Sequence, residues 1–319
     1  MNIMLKQETL NTPFFTVIIN CHNSESYLQE ALASVVSQTF QDYEVIVFDN
    51  ASTDATAKIS KDFGADIHYY FSEVKLTLGA ARNRAIMKAE GKYIAFLDSD
   101  DVWVPSKLSA QHACITERDS IDCVGLCGSD ALRVAADLTP IATYSLGRIR
   151  PKKDVMTSLM YDCFIPMSST AVNRRVCIDL GGFDESYEIV EEWDLWIRIA
   201  RNFEVVYLPE CLVLIRFHGS NTSKNYVGQD NEIKRMLAGI ETSGIVEKKT
   251  MESVRTTWMM RYKIVQLFNS SNDNLKGKAK KVVQLIIFSL QNPRVFLSLA
   301  RSYFSIRLIR FAFIKYFNA

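Results

Sequence analysis

Residues Gly91 to Asp101 read GKYIAFLDSDD. Tyr93 to Leu97 is an unbroken apolar, partly aromatic run set between Gly91 and a cluster of acids, the pattern of a short buried strand. Asp98, Ser99, Asp100 and Asp101 follow at once. Side chains alternate in extended chain, so Asp98 and Asp100 fall on one face. Two such carboxylates repel unless positive charge lies between them, and no Lys or Arg intervenes between Lys92 and Lys107. Oxygen-only donors at a strand tip suit a hard divalent ion, Mg2+ or Mn2+, with positions left for phosphate oxygens. A solvated acidic turn capping the next helix would look the same locally, so the surrounding chain must decide.

Upstream, Phe14 to Asn20 and Val45 to Phe48 are apolar strand candidates, and Ile67 to Phe71 is a third. Between them, Leu28, Ala31, Leu32, Val35 and Val36 recur at helical spacing, with Ser26 and Gln29 spaced as a capping box. A second helix is expected to about Phe63, and a third from Gly79 to Glu90. Strand and helix in this alternation make a parallel α/β sheet. Ligands of such sheets sit beyond the carboxyl ends of the strands, here Cys21 to Asn23, Asp49 to Ser52, and Asp98 to Asp101. Downstream, a helix is expected from Pro105 to about Arg118, and strands at 121–127, 141–144, 169–172, 205–208 and 212–217. A helix stopping at Gly181-Gly182 and another over 192–200 complete this part. Beyond His218 the pattern turns helical. The expected division is a catalytic domain over 1–220 and a helical C-terminal region over 221–319.

The chain has 319 residues, 48% hydrophobic and 23% charged, with a net charge of +1, an ordinary globular composition with ample core. That balance hides an asymmetry, because residues 272–319 carry nine Lys or Arg against the single acid Asp273. Attraction to anionic surfaces is therefore expected of the tail. Seven scattered cysteines, mostly in apolar runs, fit reduced buried thiols of a cytosolic protein. Cys123 and Cys127 lack a second Cys/His pair at ligand spacing, which argues against zinc. The N-terminal MNIMLKQETLNTP lacks the long apolar core of a secretory signal.

Four stretches in order resemble the family 2 glycosyltransferases of GT-A fold. They are TVIINCHNSESYLQEALASVVSQTFQDYEVIVFDNASTD, GAARNRAIMKAEGKYIAFLDSDD, GGFDESYEIVEEWDLWIRIA and LPECLVLIRFHGSNTS, within roughly residues 14 to 223. The resemblance implies a mostly parallel sheet flanked by helices and an inverting transfer of a sugar from a nucleoside diphosphate to an acceptor hydroxyl. It implies bacterial-type cell-surface polysaccharide synthesis, with Mn2+ or Mg2+ as cofactor. By position it makes Asp49 and Arg82 donor-binding residues, with Asp98 on the ribose and Asp100 on the metal. Ser99, His22 and Asn23 join the donor site. His22 departs from the family, which carries an aromatic there to hold the base. His218, in RFHGSN, is a second candidate metal ligand.

Glu192 is the expected general base. A carboxylate at a helix start can take the proton of the attacking hydroxyl, and the matching family position does so. Glu191 and Asp194 could exchange roles with it, and the helix dipole alone would also favour acids there. Trp193 and Trp196 read as packing. From Arg294 on, polar and apolar positions alternate at helical spacing without an uncharged run of the ~20 residues a spanning helix needs. This basic, aromatic-rich tail suits the membrane interface, so a peripheral place on the inner face of the cell membrane is expected; packing on the protein or on a second copy in a homo-oligomer is the alternative. The expected partners are a nucleotide-sugar and a carbohydrate or lipid-linked acceptor, without nucleic acid. Two rivals stay open. A sugar-1-phosphate nucleotidyltransferase would need a Gly-rich basic loop after the first strand, and Asn20 to Ser26 has no Gly, Arg or Lys. A non-catalytic nucleotide-sugar-binding protein is the other.

Overall fold

The computed structural model describes residues 12–64, 66–118, 121–144, 154–218 and 226–269. These divide into two compact units. The first holds the described residues through Ile141, with 165–188 and 198–217. It begins β1 (Phe15–Cys21), α1 (Leu28–Val36), β2 (Tyr43–Asn50), α2 (Thr56–Asp62), β3 (Ile67–Ser72), α3 (Leu78–Ile86) and β4 (Tyr93–Asp98). The four strands run parallel in the order β3-β2-β1-β4. β1 and β4 are apolar almost throughout because both faces are covered, as in parallel sheets generally. Register places Cys21 beside Asp49 and Asn20 beside Asp98. Three loops therefore leave the sheet at the same level.

Gly91 sets where β4 begins. Its N–H donates to Thr16 Oγ1 (2.8 Å), and a Cβ there would stand 2.5 Å from the Thr16 backbone nitrogen. Only glycine lets the chain enter β4 this close to β1.

The rest of the sheet is mixed. After β5 (Val102–Trp103) and α4 (Lys107–Thr116) come β6 (Val124–Ala135), β7 (Pro140–Thr143), β8 (Ala171–Asn173), α6 (Arg174–Asp179) and β9 (Glu204–Phe217), with α5 (Val155–Tyr161) between β7 and β8 in sequence. β8 lies antiparallel between β4 and β6, β9 runs parallel to β6, and β5 pairs antiparallel with β9.

Three sequence expectations change in detail. The strands expected at 205–208 and 212–217 are one, because a register shift absorbs Pro209 and Glu210 as a bulge opposite the step from Ser129 to Asp130. The Ser26–Gln29 capping box does not form. The first helix starts at Leu28 after a backbone turn in which Ser24 O accepts from Tyr27 N and Leu28 N, and Tyr27 takes the cap position without a side-chain bond. The two-residue β5 was not expected, since Val102-Trp103 is too short to show a period.

The second unit groups the described residues among 142–164, together with 189–197 and His218, with α8 (Tyr226–Thr242) and α9 (Lys248–Asn269). Two indoles organise it. Trp193 Nε1 donates to Leu159 O (2.6 Å), Trp258 Nε1 to Met160 O (3.0 Å), and their rings meet edge-on at 4.8 Å. Ile233, Met236, Leu237, Met251 and Val254 are buried on the two long helices. Among the described residues, no helix is long and apolar enough to cross a membrane.

Candidate active site

The tip of β4 is held from several sides. Ser168 Oγ accepts from the Asp98 N–H (3.0 Å) and donates to Asp101 Oδ2 (2.6 Å). Asp101 Oδ1 accepts from the Arg216 N–H (2.9 Å), so this buried carboxylate serves the scaffold. Asp98 pairs with Arg82 Nη2 at 3.1 Å. Arg82 is 2% exposed on α3, with its guanidinium 5.5 Å from the centre of the Phe183 ring. Asp98, Ser99 and Asp100 are half-buried.

Burial pushes the Asp98 carboxyl above the ordinary carboxylate value, with Arg82 opposing and Asp100 adding to the rise. Asp101 is raised well above it, first by burial and then by the charges of Asp100 and Asp98. Three carboxylates thus crowd one turn, and the charge of Asp100 raises the proton affinity of Asp98 and Asp101. Hard oxygen donors under mutual repulsion fit a divalent cation. Among the described residues no group of three or more His, Cys, Asp or Glu is placed to hold a metal ion by itself.

The loops after β1 and β2 are pinned to each other. Asn23, at φ 52°, accepts at Oδ1 from Thr53 N (2.9 Å) while its own N–H donates to Ser52 Oγ (2.8 Å). Ser24 N donates to Thr56 Oγ1 (2.8 Å), and Glu25 and Asp54 exchange loop contacts through Glu25 N to Asp54 Oδ2 and Ala55 N to Glu25 Oε2. Ser24 Oγ also meets Ser99 Oγ at 2.8 Å, tying this pair of loops to the β4 tip. His22 is exposed, and its Nδ1–H donates to Asn50 O (2.8 Å). In the neutral ring that bond leaves Nε2 as the acceptor.

Asp49, at the end of β2, is 0% exposed. Its Oδ1 accepts from Ser52 N (2.9 Å) and its Oδ2 from the Tyr69 hydroxyl (2.7 Å). Burial and the Asp49 bond push the Tyr69 phenol well above its ordinary value, so it stays a donor. Asp49 shapes the loop from behind.

The helix α7 (Glu191–Asn202), whose residues through Ile197 belong to the second unit, opens with Glu191, Glu192 and Asp194 in its first turn. Glu191 is 2% exposed, whereas Glu192 and Asp194 are half-buried. Trp193 and Trp196 are buried packing residues, as expected. His218 directly follows β9 and is half-buried.

Sequence reading passed over Ser168, Ser24 and Arg216. Two serines carry no signal without their partners. Arg216 did carry one, as a charge inside the apolar run LVLIRF.

The sheet and its carboxylate tip define a GT-A transferase fold. A family model described as Glycosyl transferase family 2 matches residues 16–180. The chain belongs to that family. It is 27% identical over 257 residues to an uncharacterized glycosyltransferase of Rickettsia prowazekii (strain Madrid E), covering 78% of this chain and 76% of that one. Over 109 residues, 33% of this chain and 43% of the relative, it is 36% identical to the Bacillus subtilis (strain 168) glycosyltransferase TuaG, named for teichuronic acid biosynthesis. In fold it is similar to the mannosyltransferase PcManGT from Pyrobaculum calidifontis, solved in complex with GDP-Man and Mn2+, at TM-score 0.63 and 17% identity over 95% of this chain and 86% of that one.

Proposed function

We propose that this glycosyltransferase is metal-assisted and inverting, and that it moves a single hexosyl or N-acetylhexosaminyl unit from a nucleoside diphosphate to a hydroxyl of a lipid-linked or polysaccharide precursor. The observation that carries the reading is the crowded carboxylate turn at 98–101, set beside Arg82 and the cross-pinned β1 and β2 loops. The donor-binding set is His22, Asn23, Asp49, Arg82, Asp98 and Ser99, with Asp49 also bracing the loop through Ser52 N. The presence of GDP-Man and Mn2+ in a structure of similar fold supports the donor and the ion, and the naming of TuaG supports the acceptor.

Asp100, with His218 as a second candidate, would hold Mn2+ or Mg2+. That ion supplies charge neutralisation for the departing diphosphate. Arg82, already paired with Asp98, fixes the ribose-binding carboxylate and brings positive charge to the phosphate side. Glu192 accepts the acceptor's hydroxyl proton as that oxygen attacks the anomeric carbon from the side opposite the diphosphate. The new C–O bond forms, the bond to the diphosphate oxygen breaks with its electron pair leaving on the diphosphate, and the anomeric configuration inverts. Residues 1–220 form the catalytic domain in this reading. The tail from 282 lies outside the described residues and is assigned to the inner membrane surface.

A donor screen tests the proposal. Nucleoside diphosphate release from UDP- and GDP-sugars is expected with Mn2+ and absent in EDTA, and the product's anomeric proton should show the opposite configuration to the donor. Pyrophosphate release from a nucleoside triphosphate and a sugar phosphate would mark a nucleotidyltransferase instead. Retention of configuration would remove the single-displacement step.

A further inference from the structure

Arg216 lies one residue before the end of β9 and is 1% exposed. A charge is rarely buried this far unless it is paired. Its Nε donates to the Asp100 carbonyl (2.8 Å), its Nη2 to Glu30 Oε2 (2.8 Å), and its Nη1 to the Ala136 carbonyl. Its backbone N–H holds Asp101 Oδ1 (2.9 Å), and the guanidinium stands 4.4 Å from the centre of the Tyr27 ring. One side chain therefore joins β9, the start of α1, the end of β6 and the β4 turn.

The chemistry of that junction is specific. A planar guanidinium holds several acceptors in fixed directions, which an ammonium cannot do. Asp100 is gripped by its carbonyl and Asp101 by its carboxylate. The turn closes with the Asp101 N–H donating to Asp98 O (3.1 Å). Glu30 pairs with the guanidinium, which reduces its opposition to a cation at the turn.

We propose that Arg216 is the positioning residue of the carboxylate turn: it fixes the Asp100 backbone from behind, so that the Asp100 carboxylate is held ready for a divalent cation. This role rests on the metal reading of the site given above. It makes Arg216 neither a ligand nor a catalytic residue, since it acts through Asp100. Arg216→Lys keeps the charge and removes the planar grip. Glu30→Ala leaves the arginine in place with one anchor lost.

The test is a titration of full-length protein with Mn2+, in parallel series with UDP and GDP, reading bound ion by electron paramagnetic resonance and recording Tm beside it. Arg216→Lys should raise the apparent Mn2+ dissociation constant about tenfold, the scale seen for residues that orient metal ligands. Its kcat should largely recover at saturating Mn2+. Glu30→Ala should shift the constant in the same direction by a smaller factor. A purely structural role would lower Tm and leave the Mn2+ constant where it is in the parent. Should Arg216→Lys fail to fold, Glu30→Ala decides, and an unmoved constant there overturns the proposal. Parent protein that binds no Mn2+ with either nucleotide removes the metal reading itself. Parent binding left unchanged in both variants removes the role of Arg216 alone.

Discussion

Glu191 and Glu192 are adjacent acids in the first turn of α7, but only Glu192 keeps appreciable exposure. A base must reach its proton within hydrogen-bond distance, so exposure favours Glu192. Glu192→Gln is expected to lower turnover by about 10²- to 10⁴-fold, the usual contribution of a positioned base, with donor affinity near that of the parent. If Glu191→Gln is the inactive variant and Glu192→Gln turns over normally, the base is the neighbouring acid. Lys107 presents a different titration. It is fully buried, 3.8 Å from the centre of the Trp103 ring, and donates to Gln111 Oε1 (2.8 Å). Burial lowers its pKa from 10.5 to about 7. Between those two values the unfolded chain binds a proton that the folded chain does not, so stability rises with pH there. Relative to Lys107→Met, the parent should therefore gain stability from pH 7 to pH 10, measured by urea unfolding; parallel stability curves would contradict this. At this scale Asp98 and Asp100 were legible because strand alternation needs only neighbours. Ser168 and Arg216 were not, since they meet the turn from 67 to 116 positions away. Asp49 was placed by resemblance, which carries no information on burial.

Elements were legible where a period runs long enough to show itself. β1, β2 and β4 could be read from their apolar runs, and α1 from its buried Leu28, Ala31, Leu32 and Val35. β9 looked like two strands because Pro209 removes a ladder donor, and only the partner strand reveals that a bulge absorbs it. The start of α1 was misplaced for a similar reason, because the β1–α1 loop spends its polar groups across to the β2 loop. Gly91 is the element-scale feature with the sharpest consequence. A methyl group there meets backbone at 2.5 to 2.6 Å on β1, and no flexible side chain can yield to it. Gly91→Ala should cost about 2–3 kcal/mol, at the upper end of overpacking penalties. The check is chemical denaturation of the variant beside the parent, where equal midpoints would show that β4 is not seated against β1 this closely.

At the scale of the whole molecule, the parallel half of the sheet carries the residues proposed for the donor, and α7 carries the acids proposed for the acceptor. Family membership rests on residues 16–180, so the C-terminal region answers to this chain's own sequence. Its basic content predicts that removing residues 282–319 releases the protein from anionic vesicles, each Lys or Arg near such a surface contributing about 1 kcal/mol. Co-sedimentation with vesicles at rising salt checks this; an intact chain that ignores anionic vesicles ends the membrane assignment. The central claim concerns the turn at 98–101, and calorimetric titration of the preferred nucleotide-sugar tests it most directly, with Mn2+ and with EDTA, on the parent and on Asp100→Asn. The account predicts donor binding in the parent that depends on Mn2+, and a folded Asp100→Asn protein that has lost that dependence together with transfer. Equal donor affinity in EDTA and Mn2+, with full transfer by Asp100→Asn, would contradict it.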